Sequence, residues 1–328
     1  MESDAWSGEG LVPPPGIALD PVVARLVAAS AAPPGLDDLG PDTGRQALLE
    51  LQRDLIEDCD VEAGFQVAPV GPRGLVGFWT FRPARLEGPL PAVLYLHGGR
   101  WMLGEARTHA RLITELVEGT GAVAVVPEYS RTPEARYPVA LEECYALLDW
   151  LAARAQALGV AADRIAVAGD CAGATLATAV TMLAKTRGGP AIRAQLLYYP
   201  LVDPACDTET QHRFGSGYLL SREGLRRYWQ AYLGSPEDGD QPTASPLRAG
   251  PDLLAGLPPA LVVTAEADVA RDEGEEYAAR LRAAGVPTAA VRFLGTVHDF
   301  VSLNALRDSP PSRAAVRQGC AFLRAHLD

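Results

Sequence analysis

The sequence has little that would tie it to a membrane, a nucleic acid or a disulfide scaffold. Its five cysteines (Cys59, Cys144, Cys171, Cys206, Cys320) are odd in number, scattered and without CxxC spacing. That pattern fits neither a disulfide framework nor a zinc site, so each is read first as a buried small hydrophobe. No run approaches the roughly 20 apolar residues that span a bilayer. The N-terminus, MESDAWSGEGLVPPPG, lacks the basic segment and apolar stretch of a secretory signal. Basic excess is missing too: 29 Lys and Arg stand against 41 Asp and Glu, a formal net charge of −12. That balance argues against a phosphate-binding surface and against adsorption to anionic membranes. The expectations are a cytoplasmic protein with no nucleic-acid or membrane partner, no metal and no cofactor. Internal repeats and coiled-coil heptads are absent.

What is present is the texture of one large α/β domain. A chain of 328 residues is long enough for a substantial core. Residues 1–16, rich in Gly, Pro and Ser, are expected to be disordered. Helical patterns follow at Pro21–Ala31 and Gln46–Glu57, separated by Ala32-Pro33-Pro34-Gly35. Short apolar runs then alternate with longer helical patterns. The runs are Phe65–Pro69, Val76–Phe81, Ala92–Leu96, Ala122–Val126, Ile165–Ala168, Gln195–Tyr199, Ala260–Thr264 and Ala289–Phe293. Most lack in/out alternation, as strands buried on both faces do. Helices are expected at Arg107–Glu118, Val139–Ala157, Ala172–Lys185, Asp272–Ala284 and Ser312–His326. Such alternation implies a mostly parallel sheet between helices, with the first two runs as an antiparallel edge hairpin. Residues 203–247 interrupt the rhythm with an aromatic-bearing insertion and a helical pattern at Ser221–Leu233. Connections this long are usually lids. The expectation is a single domain over 17–328, capped by about 17–60 and 203–247.

The sharpest motif is Gly169-Asp170-Cys171-Ala172-Gly173, directly after an apolar run and before an Ala-rich helical stretch. This is the strand–turn–helix setting of a G-x-S-x-G nucleophile elbow, with Cys where Ser usually stands. Taken alone the pentapeptide also fits an ordinary buried cysteine in a βα turn. As a nucleophile, Cys171 would sit at the positive end of the following helix, with the Ala172 amide aimed at a developing oxyanion. Upstream, Ala92–Leu96 runs into His97-Gly98-Gly99-Arg100-Trp101, which matches an HGGG-type oxyanion loop. Gly98 and Gly99 are the expected amide donors. Arg100 stands where a third glycine is common, either as a solvated side chain or as a guanidinium recognising a substrate carboxylate or phosphate. Downstream, Asp268 and His298 each follow a strand end, and the order nucleophile, acid, base is that of the α/β-hydrolase triad. His109, His212 and His326 read as surface groups and His97 as structural. Asp272, Glu273 and Asp299 read as solvated or helix-capping carboxylates.

From about residue 20 onward the chain resembles the hormone-sensitive-lipase-like branch of the α/β-hydrolases, with its HGGG loop and GDSAG elbow. Further agreement lies in Glu128-Tyr129-Ser130-Arg131-Thr132-Pro133-Glu134, Tyr137-Pro138, Tyr198-Tyr199-Pro200-Leu201, Ser245-Pro246-Leu247 and Leu257-Pro258-Pro259-Ala260. The resemblance implies an α/β-hydrolase fold with an eight-stranded sheet, a helical cap and short-chain acyl substrates. Two departures stand out: Cys171 for Ser and Arg100 for Gly.

A thiolate leaves a tetrahedral intermediate more readily than an alkoxide does, so attack on a simple alkyl ester mostly reverts. The expected partner is therefore a small-molecule acyl substrate with a good leaving group: an activated ester, a thioester or a lactone. Dienelactone hydrolases resemble this chain in their thiol nucleophile but not in their glycine loop. The alternatives are a non-hydrolytic acyltransferase, cyclase or lyase using the same triad, and a ligand-binding homologue without catalysis. Trp101, Phe214 and Tyr218 are candidates for lining the acyl pocket, with core or cap packing as the plain alternative. Association as a homodimer is left open.

Overall fold

The computed structural model describes residues 17–30, 34–53 and 59–328. The expected disorder of residues 1–16, the ends of the first two expected helices at Ala31 and Glu57, and Ala32 and Pro33 of the breaker between them lie outside the described residues. The eight apolar runs all become strands: β1 (Val61–Ala68), β2 (Val76–Pro83), β3 (Leu90–Leu96), β4 (Val123–Pro127), β5 (Val160–Asp170), β6 (Gln195–Tyr198), β7 (Ala260–Ala267) and β8 (Thr288–Val297). They form one sheet in the order β1-β2-β4-β3-β5-β6-β7-β8. β1 and β2 are antiparallel, β2 and β4 are antiparallel, and every later pair is parallel. The central strands β3 to β7 are buried along nearly their whole length, which explains their unbroken Ala, Val, Leu and Ile content. β8 closes the order, and its first half is largely exposed.

The helices are α1 (Pro21–Ala29), α2 (Pro41–Leu51), α3 (Ala110–Thr120), α4 (Val139–Ala153), α5 (Ala172–Arg187), α6 (Glu209–Arg213), α7 (Arg222–Tyr232), α8 (Pro251–Leu254), α9 (Arg271–Ala283) and α10 (Pro310–Leu327). α2 begins five positions before the expected Gln46 because Pro41 occupies its first turn, where a proline's missing N–H costs nothing. α5 packs in the centre: thirteen of its sixteen residues are buried, and its run of Ala, Gly and Thr lets its backbone lie close to β5 and β6. Packing pairs α3 with α10 and α4 with α5. The long connection between β6 and β7 contains α6, α7 and α8. None of the described helices is long and apolar enough to cross a membrane.

Two side chains fasten α2 and its end to the rest of the chain. Arg45 makes a bidentate pair with Glu134 at 2.7 Å and also donates to the carbonyls of Met102 and Thr132. Gln52, buried, donates to the carbonyls of Thr108 and Ser302 at 2.8 and 2.7 Å and accepts from the Asn304 amide at 2.9 Å.

Candidate active site

Register places the motif residues on one rim. Leu96 pairs with Gly169, Asp170 with Tyr198, and Ala267 with Val297. The residues that come next, His97, Cys171, Tyr199, Asp268 and His298, therefore all leave the sheet at the carboxyl ends of its parallel strands. Among the described residues, seven non-glycine positions have positive φ, and five of them (Arg100, Trp101, Cys171, Tyr199, Asp299) lie in these loops. Backbone conformations of that kind cost roughly 1–3 kcal/mol each and concentrate at functional sites.

The elbow forms because two glycines permit it. Cys171 sits at φ 53°, ψ −123°, and its amide donates to the Tyr198 carbonyl at 2.9 Å. A Cβ on Gly169 would overlap the Gly173 backbone, and one on Gly173 would overlap the carbonyls of Leu96 and His97. Only hydrogen fits at either position, so β3, β5 and α5 close together behind the thiol. Cys171 is fully buried and caps the N-terminal end of α5.

His298 and Asp268 meet as a pair. His298 Nδ1 lies 2.8 Å from Asp268 Oδ2, and both side chains are fully buried. The other Asp268 oxygen accepts from the Ala270 amide at 2.9 Å, which fixes the carboxylate plane. Burial of the imidazole pulls its pKa down, but the charges of Asp268, Asp299 and Cys171 outweigh this and hold it well above the ordinary histidine range. Cys171 Sγ, a ring nitrogen of His298 and a carboxylate oxygen of Asp299 lie within 4.8 Å of one another. Nε2, the nitrogen turned away from Asp268, has no hydrogen-bond partner among the described residues.

The oxyanion loop differs from expectation in one donor. The Gly98 amide is taken by Asp170 Oδ1 at 2.9 Å, so it does not point at a developing oxyanion. The amides of Gly99, Arg100 and Ala172 make no hydrogen bond to any described residue. Gly99 has φ 104°, and a Cβ there would overlap the Gly104 backbone, so glycine is obligatory at that place. His97 behaves as read: its ring stacks on Tyr129 at 4.3 Å, its Nδ1 contacts the Gly98 carbonyl at 2.8 Å, and burial lowers its pKa to about 3.

His109 corrects another reading. It is buried rather than superficial, with Nε2 3.3 Å from Asp170 Oδ2. Asp170 also accepts from Tyr95 Oη at 2.6 Å. Sequence reasoning missed this network because its members lie 61 and 75 positions apart. The signal available was the charged residue inside the elbow motif itself, at a place that must be buried.

Asp299 and Glu273 are likewise not solvated. Glu273 Oε1 accepts from the Val202 amide at 3.0 Å, and burial raises its pKa well above the carboxylate range. Asp299 Oδ1 lies 3.5 Å from His298 Nε2, and its Oδ2 accepts from Arg100 Nη2 at 3.0 Å. Arg100 is buried, neither solvated nor turned to a free anion site. Its Nε lies 3.9 Å from Asp37 Oδ1, and its guanidinium lies 5.8 Å from the Tyr228 ring centroid. The Asp299 and Asp37 charges offset its burial and raise its pKa.

The aromatic candidates are all buried. Trp101 stacks on Tyr232 of α7 at 4.3 Å with 10° between planes and touches Trp229 at 4.4 Å, which seats α7 on the oxyanion loop. Phe214 meets Tyr218 edge-on at 5.2 Å, with the Arg271 guanidinium 5.6 Å from the Phe214 centroid. The Tyr218 hydroxyl is buried and has no partner among the described residues.

Comparison with known proteins agrees with this architecture. A family model described as alpha/beta hydrolase fold matches residues 93–302. The chain is 36% identical to an ethyl acetate hydrolase of Pseudomonas putida, over 69% of this chain and 71% of that protein. It is 33% identical to the carboxylic ester hydrolase LipN of Mycobacterium tuberculosis, over 95% and 84% of the two chains. The crystal structure of a thermostable esterase from Pseudomonas putida superposes with a TM-score of 0.92 at 38% identity, covering 95% of this chain and 98% of that one. The chain belongs to the α/β-hydrolase-fold family, in its hormone-sensitive-lipase-like branch.

Proposed function

We propose that this protein hydrolyses carboxylic esters through a thioacyl intermediate on Cys171, with His298 as base and Asp268 orienting the imidazole. One observation carries the reading: a thiol in a strained elbow shares a buried rim with a histidine–carboxylate pair and three unengaged amides. The reaction balances simply. His298 Nε2 takes the thiol proton, and the thiolate attacks the acyl carbon. The oxyanion is held by the amides of Gly99, Arg100 and Ala172. Collapse expels the leaving group, which receives the proton from Nε2. Water, deprotonated by the same nitrogen, then attacks the thioester and releases the acid.

The charges of Asp268 and Asp299 outweigh burial and hold the His298 imidazole well above its ordinary range, which suits it to take a proton from residue 171. A cysteine gives that proton up far more readily than a serine hydroxyl, whose proton is far less acidic. The same acidity makes the thiolate the better leaving group when the competitor is an alkyl alkoxide. Aryl and enol esters, thioesters and lactones are therefore the substrate class, and simple alkyl esters turn over slowly. The ethyl acetate hydrolase among the relatives marks the contrast.

The experiment compares 4-nitrophenyl acetate, an acyl thioester and ethyl acetate on the wild type, Cys171→Ser and Cys171→Ala. Mass spectrometry of quenched enzyme should show the acyl group on Cys171. Turnover should follow the leaving group steeply in the wild type and vanish in Cys171→Ala. Full activity in Cys171→Ala would end the proposal.

A further inference from the structure

The rim holds a second kind of chemistry, which the serine-type elbow motif does not carry. Cys171 Sγ, a His298 ring nitrogen and an Asp299 carboxylate oxygen all lie within 4.8 Å of one another, and all three residues are buried. His298 Nε2 is shielded from solvent without a hydrogen-bond partner among the described residues. We propose that Cys171, His298 and Asp299 form a binding site for Zn²⁺ or another borderline-soft divalent ion, which withdraws the nucleophile reversibly.

The distances suit a tetrahedral ion. Zinc bonds of about 2.0–2.3 Å to N, O and S separate neighbouring ligand atoms by roughly 3.3–3.6 Å. His298 Nε2 and Asp299 Oδ1 already lie 3.5 Å apart. The sulfur lies within 4.8 Å of both atoms, so small side-chain shifts complete the face, and the fourth position is left to water.

Two of the three ligands are already oriented from behind. His298 donates its Nδ1 proton toward Asp268 at 2.8 Å, the carboxylate–histidine arrangement that turns Nε2 toward a metal. Asp299 offers Oδ1 while Arg100 holds Oδ2 at 3.0 Å.

The charged side chains around the site are the Asp268 carboxylate on Nδ1 of His298 and the Arg100 guanidinium, which pairs with Asp299 and lies 3.9 Å from Asp37. A divalent ion takes the place of the ligand protons that it displaces. A serine at 171 would replace the soft thiolate with a poor zinc ligand, so the site belongs to the cysteine. The absence of CxxC spacing concealed it, because its ligands are 127 positions apart in sequence before they meet.

The site depends on where three atoms lie and not on the thiol acting as a nucleophile. The test uses the full-length chain, stripped with chelator and dialysed. ZnCl₂ is titrated by calorimetry, and CoCl₂ by thiolate-to-cobalt charge-transfer absorption. One ion per chain and a charge-transfer band are expected, with 4-nitrophenyl acetate hydrolysis blocked over the same range and restored by EDTA. Asp299→Asn, which tolerates the left-handed backbone as Asp does, should weaken Zn²⁺ at least about tenfold. Cys171→Ser should weaken it further and abolish the band. No stoichiometric binding, or affinity unchanged in both variants, overturns the proposal. Acyl labelling of Cys171 without zinc binding sinks the metal site alone. Zinc binding without labelling sinks the hydrolytic reading alone.

Discussion

Replacing Asp170 with asparagine removes one negative charge from the centre of the fold while keeping the side-chain volume. The carboxylate accepts from Tyr95 Oη at 2.6 Å and the Gly98 amide at 2.9 Å, and it faces His109 Nε2 at 3.3 Å, all of it buried. Asparagine keeps one acceptor oxygen for Tyr95 and Gly98 but turns its amide group toward His109. Removing one member of a buried ion pair costs about 3–5 kcal/mol, and a hydrogen bond to a charged group contributes about 1.5–3 kcal/mol. The two figures overlap in what they count, so the expected loss is about 3–5 kcal/mol. Urea unfolding of Asp170→Asn, His109→Gln and the double variant measures it, with a coupling energy above about 1 kcal/mol for residues in one network.

The pH dependence has a definite sign. Burial would lower the His109 pKa, but the Asp170 charge and hydrogen bond raise it overall. Its contribution is complete below the ordinary histidine value and is lost as pH rises through the raised folded value. Burial would raise the Asp170 pKa, but the His109 charge and the bonds from Tyr95 and Gly98 lower it overall. That contribution is present above the ordinary aspartate value and is lost on acidification through the lowered folded one. The stability gap between wild type and Asp170→Asn should therefore be widest between roughly pH 4 and 6.5 and narrow on the alkaline side. A loss below 1 kcal/mol, strictly additive variants, or a gap that widens from neutral to alkaline pH would refute the reasoning.

Arg100→Met should cost about 3–5 kcal/mol, because it strands the buried Asp299 carboxylate and takes the nearby charge from half-buried Asp37; thermal unfolding reads it. Gly99→Ala should lower turnover of 4-nitrophenyl acetate by at least about a hundredfold, since its Cβ overlaps Gly104 and displaces an amide donor. Gln52→Leu should destabilise the fold by about 1–3 kcal/mol by leaving the Thr108 and Ser302 carbonyls unsatisfied, seen as a lower urea midpoint.

The sheet was legible because each central strand is a short unbroken apolar run, and burial on both faces leaves that trace in composition. The elbow and the HGGG loop were legible because glycine is forced at Gly169 and Gly99 by backbone four and five positions on, and at Gly173 by the end of β3, and each glycine stands at a fixed place in a short motif. Asp268 and His298 could be placed because strand ends share a rim. What escaped was pairing across the rim. Nothing near Arg100 in sequence announces Asp299 or Asp37, and His109 sits at a helix start where a surface histidine looks the same. The fate of the Gly98 amide depended on the Asp170 rotamer. Trp101 was a candidate for lining the acyl pocket, with cap packing as the alternative, and its stack on Tyr232 belongs to an insertion whose docking no local pattern encodes.

The base and the nucleophile stand on strands of unequal security. Cys171 follows β5, flanked by β3 and β6, whereas His298 follows β8, an edge strand whose one strand partner among the described residues is β7. Fraying should begin at that margin, so the imidazole departs while the thiol's surroundings persist. Inactivation should then precede loss of the fold as denaturant rises, and amide exchange should be fastest along β8.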